Sequence, residues 1–168
     1  QLAAALALNI TNHKAFATIS GIITANTLQL LADNDGNFRT RGSAAAMSLA
    51  QSSNAIAAGI AISVNNNEAV ATLGGSVTTS QAPPAEGALP GLRIQAQLTQ
   101  NMDGDYKGAL GAKALAGSVS GSSAKATISV AIAVIVSHAV TKAIIADNAS
   151  LTGADIEISA ADKSKLAL

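Results

Sequence analysis

The residues of this chain that could do chemistry are two histidines, two acid-rich turns and scattered carboxylates. His13 and His138 fall in matching corners of two repeated stretches, a spacing that could offer a metal two imidazoles. Asn66 and Asn67 hold the equivalent place in the intervening stretch, and no acidic partner recurs beside the histidines, so a polar corner residue accounts for each. Asp33-Asn34-Asp35-Gly36-Asn37 sets oxygen ligands at alternate positions, which suits calcium. Asp103-Gly104-Asp105 is a shorter version, and Asp33, Asp35, Asp103 and Asp105 are therefore the calcium candidates. The distal Glu of a full calcium loop is absent. Phe38-Arg39-Thr40-Arg41 places cations there instead, and Asx/Gly turns explain both segments. Glycoside cleavage requires two carboxylates across one groove, whereas Glu68, Glu86, Asp147, Asp155 and Glu157 are dispersed over corners. No Gly-x-Ser-x-Gly stands at a strand–helix junction, and Gly117-Ser118-Val119-Ser120-Gly121 has no His–Asp partner set. The expectation is a chain that is not an enzyme and that requires no cofactor.

The elements that must carry these residues are set by composition and by repetition. Apolar residues make up 49% of the 168, yet aromatics are 2% and alanine alone accounts for 38 positions. A wide globular core relies on bulky side chains to fill its volume, so a core of Ala, Val and Ile must be thin. Lys+Arg and Asp+Glu are 10 each, without a basic cluster, which disfavours nucleic acid as a partner. With no cysteine, disulfides do not hold the fold. The longest dense apolar run, Ala126 to Val136, is about half the roughly 20 residues a spanning helix needs. Barrel strands would carry aromatic girdles, and this chain has only Tyr106, Phe16 and Phe38. The chain is expected not to span a membrane.

One phrase occurs three times. It reads Ala5-Leu6-Ala7-Leu8-Asn9-Ile10, then Gly59-Ile60-Ala61-Ile62-Ser63-Val64, then Ala131-Ile132-Ala133-Val134-Ile135-Val136, aligned without gaps at offsets of 54 and 72. Each copy continues into a shorter apolar segment (Phe16–Ile19, Val70–Leu73, Lys142–Ile145) and then a further one (Leu28–Ala32, Leu92–Ala96, Ile156–Ala160). Such periodicity specifies a stacked repeat architecture before any local propensity does. The repeats are bounded at about 1–54, 55–124 and 125–168, within a single solenoid segment. The alternation of Leu6, Leu8 and Ile10 with Ala7 and Asn9 is period two, hence strand. Asn12-His13 and Asn65-Asn66-Asn67 read as corners between short strands, 33–37 as a loop and 101–105 as a turn. Ala-rich stretches at 41–51 and 107–116 have helical propensity, against Ile/Val/Thr enrichment beside them.

The second copy holds an insertion over 80–91 that contains all three prolines, Pro83, Pro84 and Pro90. Proline cannot donate to a ladder, so this is an excursion. Its residues Pro83, Pro84, Glu86 and Pro90 form the candidate contact loop.

The segment Ile60-Ala61-Ile62-Ser63-Val64-Asn65-Asn66-Asn67-Glu68-Ala69-Val70-Ala71 with Leu92-Arg93-Ile94-Gln95-Ala96, and its counterpart Val130–Val134 with Ile156–Asp162, resembles the repeats of very large filamentous surface proteins. These are the filamentous-haemagglutinin-like and leukotoxin-family adhesins. The proline insertion and His138-Ala139-Val140 depart from that pattern. The resemblance implies a right-handed parallel β-helix on a bacterial cell surface or outside the cell, acting as an adhesin or stiff filament. It implies contact with host or neighbouring-cell surfaces.

The combined expectation is an all-β solenoid, a fragment of a longer array, self-associating end to end or laterally. A polysaccharide-degrading β-helix enzyme and an ice-binding solenoid are the alternatives. A flat ice-binding face needs regular threonine ranks, and Thr18 and Thr72 align while Ile144 replaces the third. At about 20 residues per coil and about 4.8 Å per rung, the chain would make roughly eight coils and about 40 Å of rod. Ile, Val and Leu columns would fill the interior, with Ala columns on the face where a second layer approaches.

Overall fold

The computed structural model describes residues 2–36, 38–48, 55–80, 90–100, 110–120, 127–153, 155–163 and 166–167. Every regular element among them is a β-strand. The chain makes three passes, each laying one strand into each of four sheets. The first pass is β1 (Leu2–Ile19), β2 (Ile22–Ala25), β3 (Leu28–Gly36) and β4 (Phe38–Ser48). The second is β5 (Ala55–Leu73), β6 (Ser76–Thr79), β7 (Leu92–Gln100) and β8 (Leu110–Ser120). The third is β9 (Thr127–Ile145), β10 (Ser150–Thr152), β11 (Ile156–Asp162) and β12 (Leu166–Ala167). The sheets are A (β1-β5-β9), B (β2-β6-β10), C (β3-β7-β11) and D (β4-β8-β12). All pairings are parallel.

The sequence offsets are the registers of sheet A. Leu2 pairs with Ile56 and Ile19 with Leu73, 54 residues apart throughout. Ala55 pairs with Thr127 and Leu73 with Ile145, 72 apart throughout. The insertion over 80–91 lengthens the second pass without disturbing the pairing of sheet C beyond it. The spacing steps from 54 at Ala25↔Thr79 to 64 at Leu28↔Leu92. Pro90 is buried where the chain re-enters the stack.

Several local expectations are corrected. A pass is one whole repeat, not 20 residues, so the stack has three rungs rather than eight, about 10 Å from first to third at about 4.8 Å per rung. Asn12-His13 and Asn65–Asn67 do not end a strand, because β1 and β5 run through them. The segment 33–36 is strand β3 rather than loop. The described parts of the stretches with helical propensity, 41–48 and 110–116, are in strands β4 and β8, and 49–51 and 107–109 lie outside the described residues. In each case the partner strand already stacked in register supplies ladder hydrogen bonds that outweigh local preference.

Sheets A, B and C enclose the main core. Ala69, Ala71 and Leu73 from β5 meet Val77, Leu92, Ile94, Ala96 and Leu98, with Leu30 and Ala32 below. Here large aliphatic side chains point inward, as expected. The first half of sheet A does the reverse. Ala55, Ala57, Gly59, Ala61 and Ser63 are buried, while their alternates Ile56, Ile60, Ile62 and Val64 face out. The interior of this half is alanine on alanine, Ala55 and Ala57 packing with Ala3 and Ala116. Small inner side chains are what allow sheet A to lie close on β8. The predicted facing is thus inverted along half of each long strand.

The corner between sheets A and B keeps the rungs bonded through backbone contacts. Gly74 donates to Ile19 O at 2.8 Å, Ser76 to Gly21 O at 2.8 Å, Ala146 to Leu73 O at 2.8 Å and Ser150 to Gly75 O at 3.1 Å. Gly21 adopts φ 114°, and a Cβ on Gly75 would run into the Gly21 backbone, so glycine is required at both. In the third pass the corner gains two residues, and Asn148 takes φ 67°, which asparagine tolerates better than most side chains.

Buried asparagines stand in the middle of β5 and near the end of β3, where sheets A and C meet. Asn34 donates from Nδ2 to His13 O at 2.9 Å and Glu68 O at 3.1 Å, fastening sheet C to sheet A. Asn65 donates to Ser63 Oγ at 3.0 Å and accepts from Thr11 Oγ1 at 2.7 Å. Asn67 is fully buried, and its side-chain amide has no hydrogen-bond partner among the described residues.

This interior sets the expected cost of substitutions. Ala61→Leu inserts bulk into the alanine layer and lowers unfolding stability by about 1–3 kcal/mol in urea titrations. A free energy equal to wild type would show that this face is not the inner one. Asn34→Ala costs about 1–3 kcal/mol by removing the two hydrogen bonds that join sheet C to sheet A. Asn67→Ala removes an unpaired buried amide and leaves stability unchanged or raised by about 1 kcal/mol, as its neighbour Ala139 illustrates. Equal losses for the two asparagines would contradict their different bonding.

Candidate functional site

The most distinctive surface is the outer face of the first half of sheet A. Strand alternation puts positions 2, 4, 6, 8 and 10 of β1 on this face, and register stacks them into columns. These are Leu2/Ile56/Ile128, Ala4/Ala58/Val130, Leu6/Ile60/Ile132, Leu8/Ile62/Val134 and Ile10/Val64/Val136. All fifteen positions are apolar. Exposure is high, 69% at Leu6 and Ile10, and still 46% at Ile132. The next column along the strands is polar, Asn12/Asn66/His138, and the one after it is charged in the first two passes, Lys14/Glu68, with Val140 in the third. Asn66 donates to Asn12 Oδ1 at 3.3 Å, and Lys14 pairs with Glu68 at 3.4 Å. The apolar plate therefore has a sharp border.

The outer face of sheet C is its opposite in character. Gln29, Arg93 and Glu157 form one column, and Asp33, Gln97 and Ala161 another. Arg93 bonds Glu157 at 3.3 Å and Lys163 bonds Gln97 at 3.3 Å, both across a rung. A groove of about 220 Å³ opens here, lined by Leu31, Ala32, Asp33, Gln95 and Gln97. Among these lining residues Asp33 is the one carboxylate. Asp35 stands two residues along β3 on the same face, about 7 Å by strand rise, but outside the groove lining, and Glu157 lies four residues along the strands and two rungs away, beyond roughly 13 Å. Paired acids of glycoside hydrolases stand about 5–9.5 Å apart.

The histidines are not brought together. His13 is in an inner column with Asn67 and Ala139, whereas His138 is in an outer column with Asn12 and Asn66. Of the calcium candidates, Asp33 and Asp35 are exposed on the outer face of β3 beside Gln97 and Thr99. Asp103 and Asp105 lie outside the described residues. No group of three or more His, Asp and Glu close enough to hold a metal occurs among the described residues. In the contact loop, Pro83, Pro84 and Glu86 lie outside the described residues, and Pro90 is buried.

Sequence reasoning missed one rank. Thr24, Thr78 and Thr152 align as an exposed column on sheet B. The signal was present at offset 54, but the two-residue enlargement of the third corner shifts Thr152 to offset 74 and hides it from a gapless alignment.

Among the described residues, apolar side chains are exposed on the plate of sheet A and on the two outer rungs of the stack, the first pass and the third. In the third pass the inner-column residues Ile145, Ile156 and Ile158 are exposed although Leu73, Leu92 and Ile94 beneath them are fully buried. No family model matches the chain, and neither the curated proteins nor the solved structures contain a match to it.

Proposed function

We propose that this chain is a right-handed parallel β-helix serving as a structural and adhesive rod on a bacterial cell surface, in the manner of the filamentous-haemagglutinin-like proteins its repeats resemble. The observation that carries the reading is the simultaneous parallel register of four sheets over three passes. A chain organised this way transmits load through backbone ladders and needs no catalytic centre. Its work is to be stiff, to space what it carries, and to present a surface.

Continuation of the stack is the second support. Strands β1 to β4 and β9 to β12 each have a neighbour on one side only, and the aliphatic columns above Leu73, Leu92 and Ile94 are exposed at the third pass. Another rung laid on the third pass would pair its edges and bury those columns. Repeat arrays are stable in proportion to such neighbour contacts. End-to-end addition is heterologous, so it generates open filaments rather than closed rings when the rotation does not close.

An enzyme acting on polysaccharide would need a second carboxylate in the sheet C groove. An ice-binding face would need a second threonine rank beside Thr24, Thr78 and Thr152, and Thr18/Thr72/Ile144 breaks it.

Concentrated protein viewed in negative stain is expected to form rods of constant width. Ile158→Lys puts a charge in an uncovered inner column, one of the devices that blunts sheet ends. It should abolish the rods while leaving the β-sheet circular dichroism intact. Isometric particles that never lengthen, or rods indifferent to Ile158→Lys, would sink the reading.

A further inference from the structure

We infer that the apolar outer face of sheet A is an isologous interface, covered by the same face of a second copy of this chain in a sheet-on-sheet dimer. The starting point is the inversion of facing. Along residues 55–64 the small side chains are buried and the large aliphatic ones point to solvent. A strand gains most by burying its large side chains, and here the chain's own fold leaves that gain unrealised. A second sheet about 10 Å away would restore the ordinary arrangement, large side chains between sheets.

The area fits this occupant. The ten most exposed Leu, Ile and Val residues on the face present on the order of 900 Å², against roughly 300–600 Å² for the largest apolar patch of a typical monomer and about 800 Å² per partner in a standard interface. The chemistry fits as well. The face is wholly aliphatic and uncharged over five columns and three strands, the character of a homodimer core rather than of a transient heterologous contact. It carries no Trp, Tyr, Lys or Arg, the residues that seat a surface on lipid headgroups. The polar border at Asn12/Asn66 and Lys14/Glu68 limits the contact to the plate.

The two-fold axis lies between the sheets and passes the centre of the plate, at Ile60, the middle column of the middle strand. This pairing uses neither edge of the stack, so it stands or falls apart from end-to-end growth.

Sedimentation of the full chain at micromolar concentration tests it. Wild type pairs, Ile60→Lys weakens pairing by on the order of a hundredfold or more through a desolvated charge, and Gln95→Lys on sheet C leaves it unchanged. Ile60→Cys, introduced into a chain without cysteine, is joined copy to copy by a short bis-maleimide that spans the roughly 10 Å between sheets, a gap too wide for a direct disulfide, whereas Gln95→Cys is not. That second measurement decides the matter should Ile60→Lys fail to fold. Ile158→Lys, which blocks end-on growth, leaves the cross-link intact. A folded chain that stays monomeric at about 100 μM, association indifferent to Ile60→Lys, or a monomer that instead floats with phosphatidylcholine vesicles would each overturn the proposal, the last by making lipid the occupant.

Discussion

Parallel backbone pairing between equivalent strands of successive passes is the constraint on which everything else rests. It acts in four sheets at once, so a slip in one would have to be matched in the other three. Side-chain period two raises the cost further, because a one-residue slip in sheet A would turn every inner residue outward. Cross-rung pairs such as Lys14–Glu68 and Arg93–Glu157 are partly exposed and contribute little to stability. Their effect is to favour one register among near-equivalents. Length differences between passes are absorbed at corners and excursions, as the intact register of sheet B before the proline insertion and of sheet C after it demonstrates.

Within that frame the molecule has two kinds of interior. Around Leu73, Val77, Leu92 and Ile94, three sheets converge and leave a space that large aliphatic residues must fill. Around Ala55 and Ala57, sheet A lies against β8 and the space admits little more than methyl groups. Buried polar residues sit between these regions. Asn34, Asn65 and Ser63 satisfy one another or the backbone there, and Asn67 does not. The long strands pass through this junction unbroken with the same alternate positions inward, and these stay alanine (Ala15, Ala17, Ala69, Ala71) until the last, Ile19 and Leu73, is large.

The functional surfaces derive from this division. Sheet C turns glutamines and charges outward. Sheet A turns outward an aliphatic plate whose columns continue from rung to rung. A stacked architecture makes any surface property linear, since each added pass extends the same column. The proposed roles of adhesion, spacing and lateral pairing would draw on the geometry and area of these surfaces.

The sequence by itself determined the strand periodicity, the three copies, the offsets of 54 and 72 and the excursion at the prolines. These are properties of neighbours along the chain and of self-similarity, and ladder pairing translates them directly into register. It also separated Leu6, Leu8 and Ile10 from Ala7 and Asn9 as two faces. Which face is inside was decided only by the tertiary structure, because alternation is symmetric. The answer depends on whether a third sheet is present to hold the space open, as at Leu73, or whether two sheets close upon each other, as at Ala57. The number of residues in a pass was hidden for a similar reason. The corners read at Asn12 and Asn66 are strand interiors, where a partner already in register supplies every bond that local preference would have broken.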